Sequence, residues 1–183
     1  MPYHHGDLRR AMLDAASEAI LESGPSALSL RELARRAGVS NAAPTHHFGD
    51  KAGLFTALAT EGYALLAETV EQAWESGGGI IEMGVRYVSF ALEHRAHFEV
   101  MFQPGLLHAE DEKLIAARVR ALQALQRGVA ADPRCGPDSG LAGTAAWSLV
   151  HGFATLVLSG VVRVDDAGAT TRAIAGLLFP ERA

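Results

Sequence analysis

The residues best suited to chemistry lie between Ser29 and Phe55, and the chemistry their spacing suits is DNA recognition. The run Ser29-Leu30-Arg31-Glu32 has the form of a capping box, in which each of the two end side chains satisfies a free backbone N–H of the other residue. Leu30, Leu33, Ala34 and Ala37 then mark one face of a short helix. Gly38 supplies the backbone angle a tight turn needs, and Ser40 is placed to cap a second short helix reaching about His47. Phe48 and Gly49 break that helix, and Asp50 caps the next. Two short helices joined by such a turn form a helix-turn-helix. The first braces the second, and the second offers its N-terminal residues to the major groove. Asn41, near that end, carries an amide able to pair bidentately with adenine.

Other chemistries find little support. No glycine-rich phosphate loop follows a strand, and Cys135 has no nearby base to activate it. His94 and His97 stand three apart, but no third ligand follows at a clear spacing. No metal and no cofactor are therefore expected, and the chain does not read as an enzyme. The rival reading is an all-helical small-molecule-binding protein or enzyme with an incidental helix-turn-helix.

The elements that must position these residues are helical nearly throughout, because apolar residues recur at three and four rather than at two. The 183 residues allow one domain or two small ones. With 49% hydrophobic and 20% charged residues they can bury a core, which argues against disorder. A first helix is expected from Asp7 to Ser23, ended by Gly24 and Pro25. After the head, helices are expected over Lys51 to Ser76, Ile80 to Glu93, Ala96 to Phe102, Glu110 to Ala131, Ser139 to Val162 and Ala169 to Phe179. Gly77-Gly78-Gly79 is the clearest break. A single cysteine forms no internal disulfide and suits a reducing cytoplasm. Met1 to Asp7 has no apolar run behind it, so no signal peptide is expected.

From Leu8 to Phe55 the sequence closely resembles the N-terminal domain of TetR-type transcriptional regulators. The residues that carry the resemblance are Ser29 to Ala34, then Gly38-Val39-Ser40, then His46-His47-Phe48-Gly49-Asp50-Lys51, then Leu54-Phe55. Tyr3-His4-His5-Gly6-Asp7-Leu8, His97-Phe98, Met101-Phe102, and Trp147 followed by His151-Gly152 look like a subgroup with a Trp-His-Gly-type C-terminal domain. The resemblance implies an all-α fold with a three-helix DNA-binding head at 1–55 and a helical bundle for ligand binding and dimerisation at 56–183. It places Asn41, Ala42 and Ala43 near base edges, and Thr45 and His46 near phosphate on the recognition helix. It puts Lys51 against the DNA backbone, where its charge and the helix N-terminus both favour phosphate. Ser29 and Ser40 would meet phosphates while capping. The family's usual Leu-Tyr-type pair is replaced here by Pro44-Thr45, so any contact from the shorter Thr45 is weaker, closer or water-mediated.

The C-terminal region adds a second expectation. Ser139 to Val162 holds no Asp, Glu, Lys or Arg over 24 residues, about 36 Å of helix. Ten of those residues are Gly, Ser, Thr or His, so membrane insertion is disfavoured and enclosure by other helices is expected on several sides. Ala145, Ser148, Gly152, Thr155 and Ser159 form one seam of small residues that permits close helix packing. The resemblance makes this helix and the last one the dimer interface. It implies an effector pocket, for which Tyr87 and Phe90, then Phe98, Met101 and Phe102, then Trp147 and His151 are the candidates. The expected function is a cytoplasmic homodimeric regulator, most simply a repressor, that binds a near-palindromic double-stranded DNA operator and is released by a small molecule. The net charge of −5 does not oppose this, since Met1 to Phe55 balances six basic against six acidic residues. The stretch Leu28 to Lys51 carries four basic against two acidic, a local surplus of +2.

Overall fold

The structure is a computed structural model describing residues 5–136 and 138–179. The Tyr3-His4 start of the N-terminal motif lies outside the described residues. Nine α-helices and no strand occur among those residues: α1 His5–Ala27, α2 Leu30–Arg36, α3 Ala43–Phe48, α4 Lys51–Glu75, α5 Gly79–Glu93, α6 Arg95–Met101, α7 Glu112–Ala131, α8 Ser139–Leu158 and α9 Ala167–Leu178. The all-α class is as expected. The chain divides into two compact units, Met1–Gly62 with Ala96–Ala116, and Tyr63–Arg95 with Ala117–Ala183. These units are interleaved along the chain and do not follow the linear division at residue 55/56.

The first unit is built on α1. Its Met12, Leu13, Ala16 and Ile20 are fully buried at helical spacing, as are Leu33 and Ala34 of α2 and Leu54, Phe55 and Leu58 of α4. Alanine at position 34 lets α2 approach closely, and α1 packs on α2, and α2 on α3. Segment 96–116 joins this unit through α6. Gly62 makes that possible, because a Cβ there would meet Met101 Sδ at 2.5 Å and His97 Cβ at 3.0 Å.

Several local details depart from the sequence reading. The range of α1 spans two helical runs: Gly24 (φ 74°, ψ 164°) ends the first, as expected, and Pro25 opens a separate short turn through Ala27. Only half of the capping box forms. The Glu32 N–H donates to Ser29 Oγ at 3.2 Å, but the Glu32 carboxylate turns to Arg35 and Arg36 one turn later. Ser40 does not cap α3. The cap position is Ala42, with no side-chain hydrogen bond, and Ser40 instead accepts the Ala43 N–H through its carbonyl at 3.0 Å. Proline explains the shift. Were Ser40 the cap, Pro44 would have to supply the first intrahelical N–H, which it lacks. Starting the helix at Ala43 puts Pro44 in the first turn, where the missing donor has no cost.

The second unit centres on α5, whose Met83, Tyr87, Val88, Phe90 and Ala91 are buried, and which packs against both α8 and α9. Gly84 brings α5 close to α8, with Val150 Cγ1 at 3.1 Å from where its Cβ would stand. Asp132, itself buried, accepts the Ile80 N–H at 3.0 Å near the start of α5 and a forked pair from Arg134 at 2.9 and 2.6 Å. Cys135 is buried with Ile80, Val129 and Phe179, and burial pushes its thiol up, so it is a packing residue.

Helix α8 is not enclosed as expected. It ends at Leu158, and of its residues only Val150, Phe153 and Ala154 are buried. By length and composition it is the one helix among the described residues that could cross a membrane. Leu141 is 68% exposed and Leu156 43%, while Leu177 of α9 is 85% exposed.

Candidate nucleic-acid interface

Helix α3 is short because Pro44 starts it and Gly49 (φ 77°) stops it, leaving six residues. Ala43 and Pro44 face inward and are buried, which fixes the roll of the helix. Ser40, Asn41 and Ala42 in the preceding turn, and Thr45 and His46 on the helix, are all exposed. Five of the six residues expected on the recognition element thus share the solvent-facing side. Ala43 does not, and its side chain is closed off from any base edge.

Ser29 is exposed and engaged as the α2 cap. Lys51 is half-buried. Its ammonium donates to the Ser26 carbonyl at 2.9 Å and lies 5.5 Å from the Phe55 ring centroid. It therefore braces the last turn of α1, with donors remaining on the same nitrogen for another acceptor.

The charges sort themselves by partner. Arg36 pairs with Glu22 at 2.7 Å and Glu32 at 2.9 Å, and Arg35 pairs with Glu32 at 2.6 Å. The two guanidinium groups hold the Glu32 carboxyl at about 2, well below the ordinary carboxylate range. Arg10 is occupied by Asp14 and by Glu61 at 2.7 Å. Arg9 lies over the Phe48 ring at 5.4 Å. Within the basic stretch, Arg31 and Lys51 are the cations left without a carboxylate among the described residues. The local surplus of +2 thus resolves to two named groups flanking α3 in sequence. Arg31, exposed in the first turn of α2, was not among the expected contacts. The sequence carries a signal for it, since no acidic residue stands three or four positions to either side.

Asp50 sets the start of α4. Its Oδ1 accepts the Gly53 N–H at 2.8 Å and His108 Nε2–H at 2.9 Å, and the His108 N–H donates to Thr56 Oγ1 at 2.9 Å. These bonds, the Gly53 one foremost, hold the Asp50 carboxyl below its ordinary 3.8. Asp50→Ala should lower the melting temperature by a few degrees, and Asp50→Asn by less, since an amide still caps. A group with a depressed folded-state pKa stabilises above its unfolded pKa and loses that contribution as pH falls through the folded one. The gap between wild type and Asp50→Ala should therefore shrink below pH 3.8, which thermal melts at stepped pH would check. Nothing in the sequence points to His108, which lies 58 residues from Asp50.

The residues expected around an effector separate. A cavity of about 180 Å³ opens in the second unit between α5, α7, α8 and α9, and Tyr87 and Trp147 line it. His151 does not line it, but its Nδ1 is 2.9 Å from the Tyr87 hydroxyl. Phe90 is buried in α5 and does not border the cavity. Phe98, Met101 and Phe102 belong to the first unit, where Phe98 and Phe102 meet edge to face at 5.2 Å. An aromatic on a helix serves as core as readily as lining, which is why spacing alone does not part them. Among the described residues no group of three or more His, Cys, Asp or Glu is placed to hold a metal ion.

Two family models match the chain. One, described as bacterial regulatory proteins of the tetR family, covers residues 12–58; the other, a tetracyclin repressor-like C-terminal domain, covers 80–177. The chain belongs to the TetR family. A curated relative, the HTH-type transcriptional repressor AcnR of Corynebacterium glutamicum, is 29% identical over 177 residues, 93% of this chain and 88% of its own. A solved structure of a protein with unknown function from Rhodococcus sp. RHA1 superposes with TM-score 0.80 at 32% identity, covering 98% of this chain and 97% of that one. The TetR family transcriptional regulator PfmR of Thermus thermophilus gives TM-score 0.74 at 25% identity, over 93% and 99%. The TetR-family chain is thus a DNA-binding transcriptional regulator, and the rival reading as an enzyme with an incidental helix-turn-helix falls.

Proposed function

We propose that this TetR-family chain is a cytoplasmic repressor that binds a near-palindromic operator as a homodimer and is released by a small effector. The observation that carries the DNA reading is the exposed strip Ser40, Asn41, Ala42, Thr45 and His46, flanked in sequence by the two cations without carboxylate partners. Asn41 is the base reader. Arg31 and Lys51 are the phosphate contacts, and Ser29 and Thr45 supply hydroxyls to the same backbone. Arg31→Ala and Lys51→Ala should each weaken operator binding across all sequences and reduce the salt slope by about 1. Asn41→Ala should change which base is preferred, with about 1–3 kcal/mol of discrimination lost at one position. Gel shifts over a salt series and an operator panel measure both; unchanged binding in all three variants would refute the docking.

The dimer reading is supported by the open face of α8. Ser148, Thr155 and Ser159 are exposed, Ala145 and Gly152 half-exposed, and a Cβ at Gly152 would touch nothing. Gly176 on α9 is equally open. An uncharged helix with exposed leucines to either side needs a cover, and a second copy offers the same seam by symmetry. Two heads on a common axis then read half-sites about 34 Å apart. Effector release is linkage: a ligand frees DNA only as far as it prefers the non-binding state.

A further inference from the structure

The α5–α9 cavity has walls of Ile80, Met83, Leu125, Val129 and Phe179. No Asp, Glu, Lys or Arg borders it among the described residues, and the polar side chains that reach it, such as Gln126 and Thr144, are uncharged. One end carries a hydrogen-bonded cluster. Trp147 Nε1–H donates to the Tyr87 oxygen at 3.1 Å, and the same hydroxyl is hydrogen-bonded to His151 Nδ1 at 2.9 Å. Burial lowers the His151 pKa, which favours the neutral imidazole. Trp147 and His151 stand four apart on α8, hence on one face, and converge on a hydroxyl supplied by α5. The Trp-His-Gly motif thereby acquires a division of labour: two members hold Tyr87, and the third, Gly152, faces the open seam.

We propose that this cavity takes an uncharged, single-ring molecule carrying one hydroxyl, of the size and chemistry of benzyl alcohol, with its oxygen at the Tyr87 end. The volume sets the size. A cavity of about 150 Å³ lined by aliphatic and aromatic side chains accommodates benzene, and 180 Å³ leaves room for one small substituent. The lining sets the charge, because a carboxylate here would lose its water and gain no cation. The inference rests on the effector reading above and narrows it to a ligand class.

The test uses the full-length protein, with benzyl alcohol, toluene and benzoate as probes in titration calorimetry. Benzyl alcohol should bind, and benzoate should bind at least about 100-fold more weakly. Tyr87→Phe should weaken benzyl alcohol about tenfold and leave toluene unchanged. Ala146→Leu, which fills the cavity from α8, should abolish both. Operator binding by the same preparations reports that each variant is folded. Benzoate binding as tightly as benzyl alcohol would overturn the proposal, as would equal benzyl alcohol affinity in Tyr87→Phe. Failure of both neutral probes with operator binding intact would also overturn it, and would leave the regulator reading standing.

Discussion

Phe55→Ala should cost about 3–5 kcal/mol of stability, the range for truncating a buried aromatic. Phe55 is 1% exposed, in the second turn of α4, where the expected apolar face and the observed core coincide. Against a total stability of about 5–15 kcal/mol, such a loss leaves the first unit poorly populated at physiological temperature. A second effect compounds the first. The Phe55 ring lies beneath the Lys51 ammonium, so its removal also frees the side chain that braces the Ser26 carbonyl. Phe55→Leu should recover most of the stability and not the cation–ring contact. Denaturant melts would show the large difference between the two variants. A stability of Phe55→Ala within about 1 kcal/mol of wild type would contradict the packing described.

The next largest effect is expected at the seam. Ser148→Arg places a long charged side chain at the centre of the exposed α8 face, where the open positions leave room in a single chain and where the proposed second copy would pack. Each monomer should fold normally, because nothing within its own unit is displaced. Sedimentation should show monomers in place of dimers. Operator affinity should fall by about 100-fold or more, since a single head loses the effective concentration that a linked partner supplies. A variant that stays dimeric, or a wild-type chain that is monomeric and binds its operator with full affinity, would remove α8 from the interface.

What is legible in the sequence is what depends on near neighbours. Ser29 capping α2, the Gly38 turn and the recurrence of small residues along α8 are all settled within about two helical turns, and each stands where its spacing puts it. Ser40 is the exception even at that range, because its own capping preference yields to the missing N–H of Pro44, which decides the register. Glu32 leaves its expected partner for the same kind of reason, with two arginines one turn later outcompeting one backbone donor. Long-range pairings leave no trace. His108 reaches Asp50, and Glu61 reaches both Arg10 and His97, across the fold, and no local pattern announces them. The division of the aromatics between cavity and core is also non-local, since it depends on which unit α6 joins.

The interleaved units carry one more implication, for modular exchange. The compact unit that holds the DNA-binding helices includes 96–116, and its stretch of α4 relies on that segment to cover Gly62 and to occupy Thr56 Oγ1. A chimera that transplanted only the first 62 residues onto another effector-binding body would sever those contacts and inherit a foreign segment in their place. Portability of the head therefore demands a discontinuous graft, and lineages that reshuffle sensors and readers by simple fusion would have to re-evolve the fit of α6 each time.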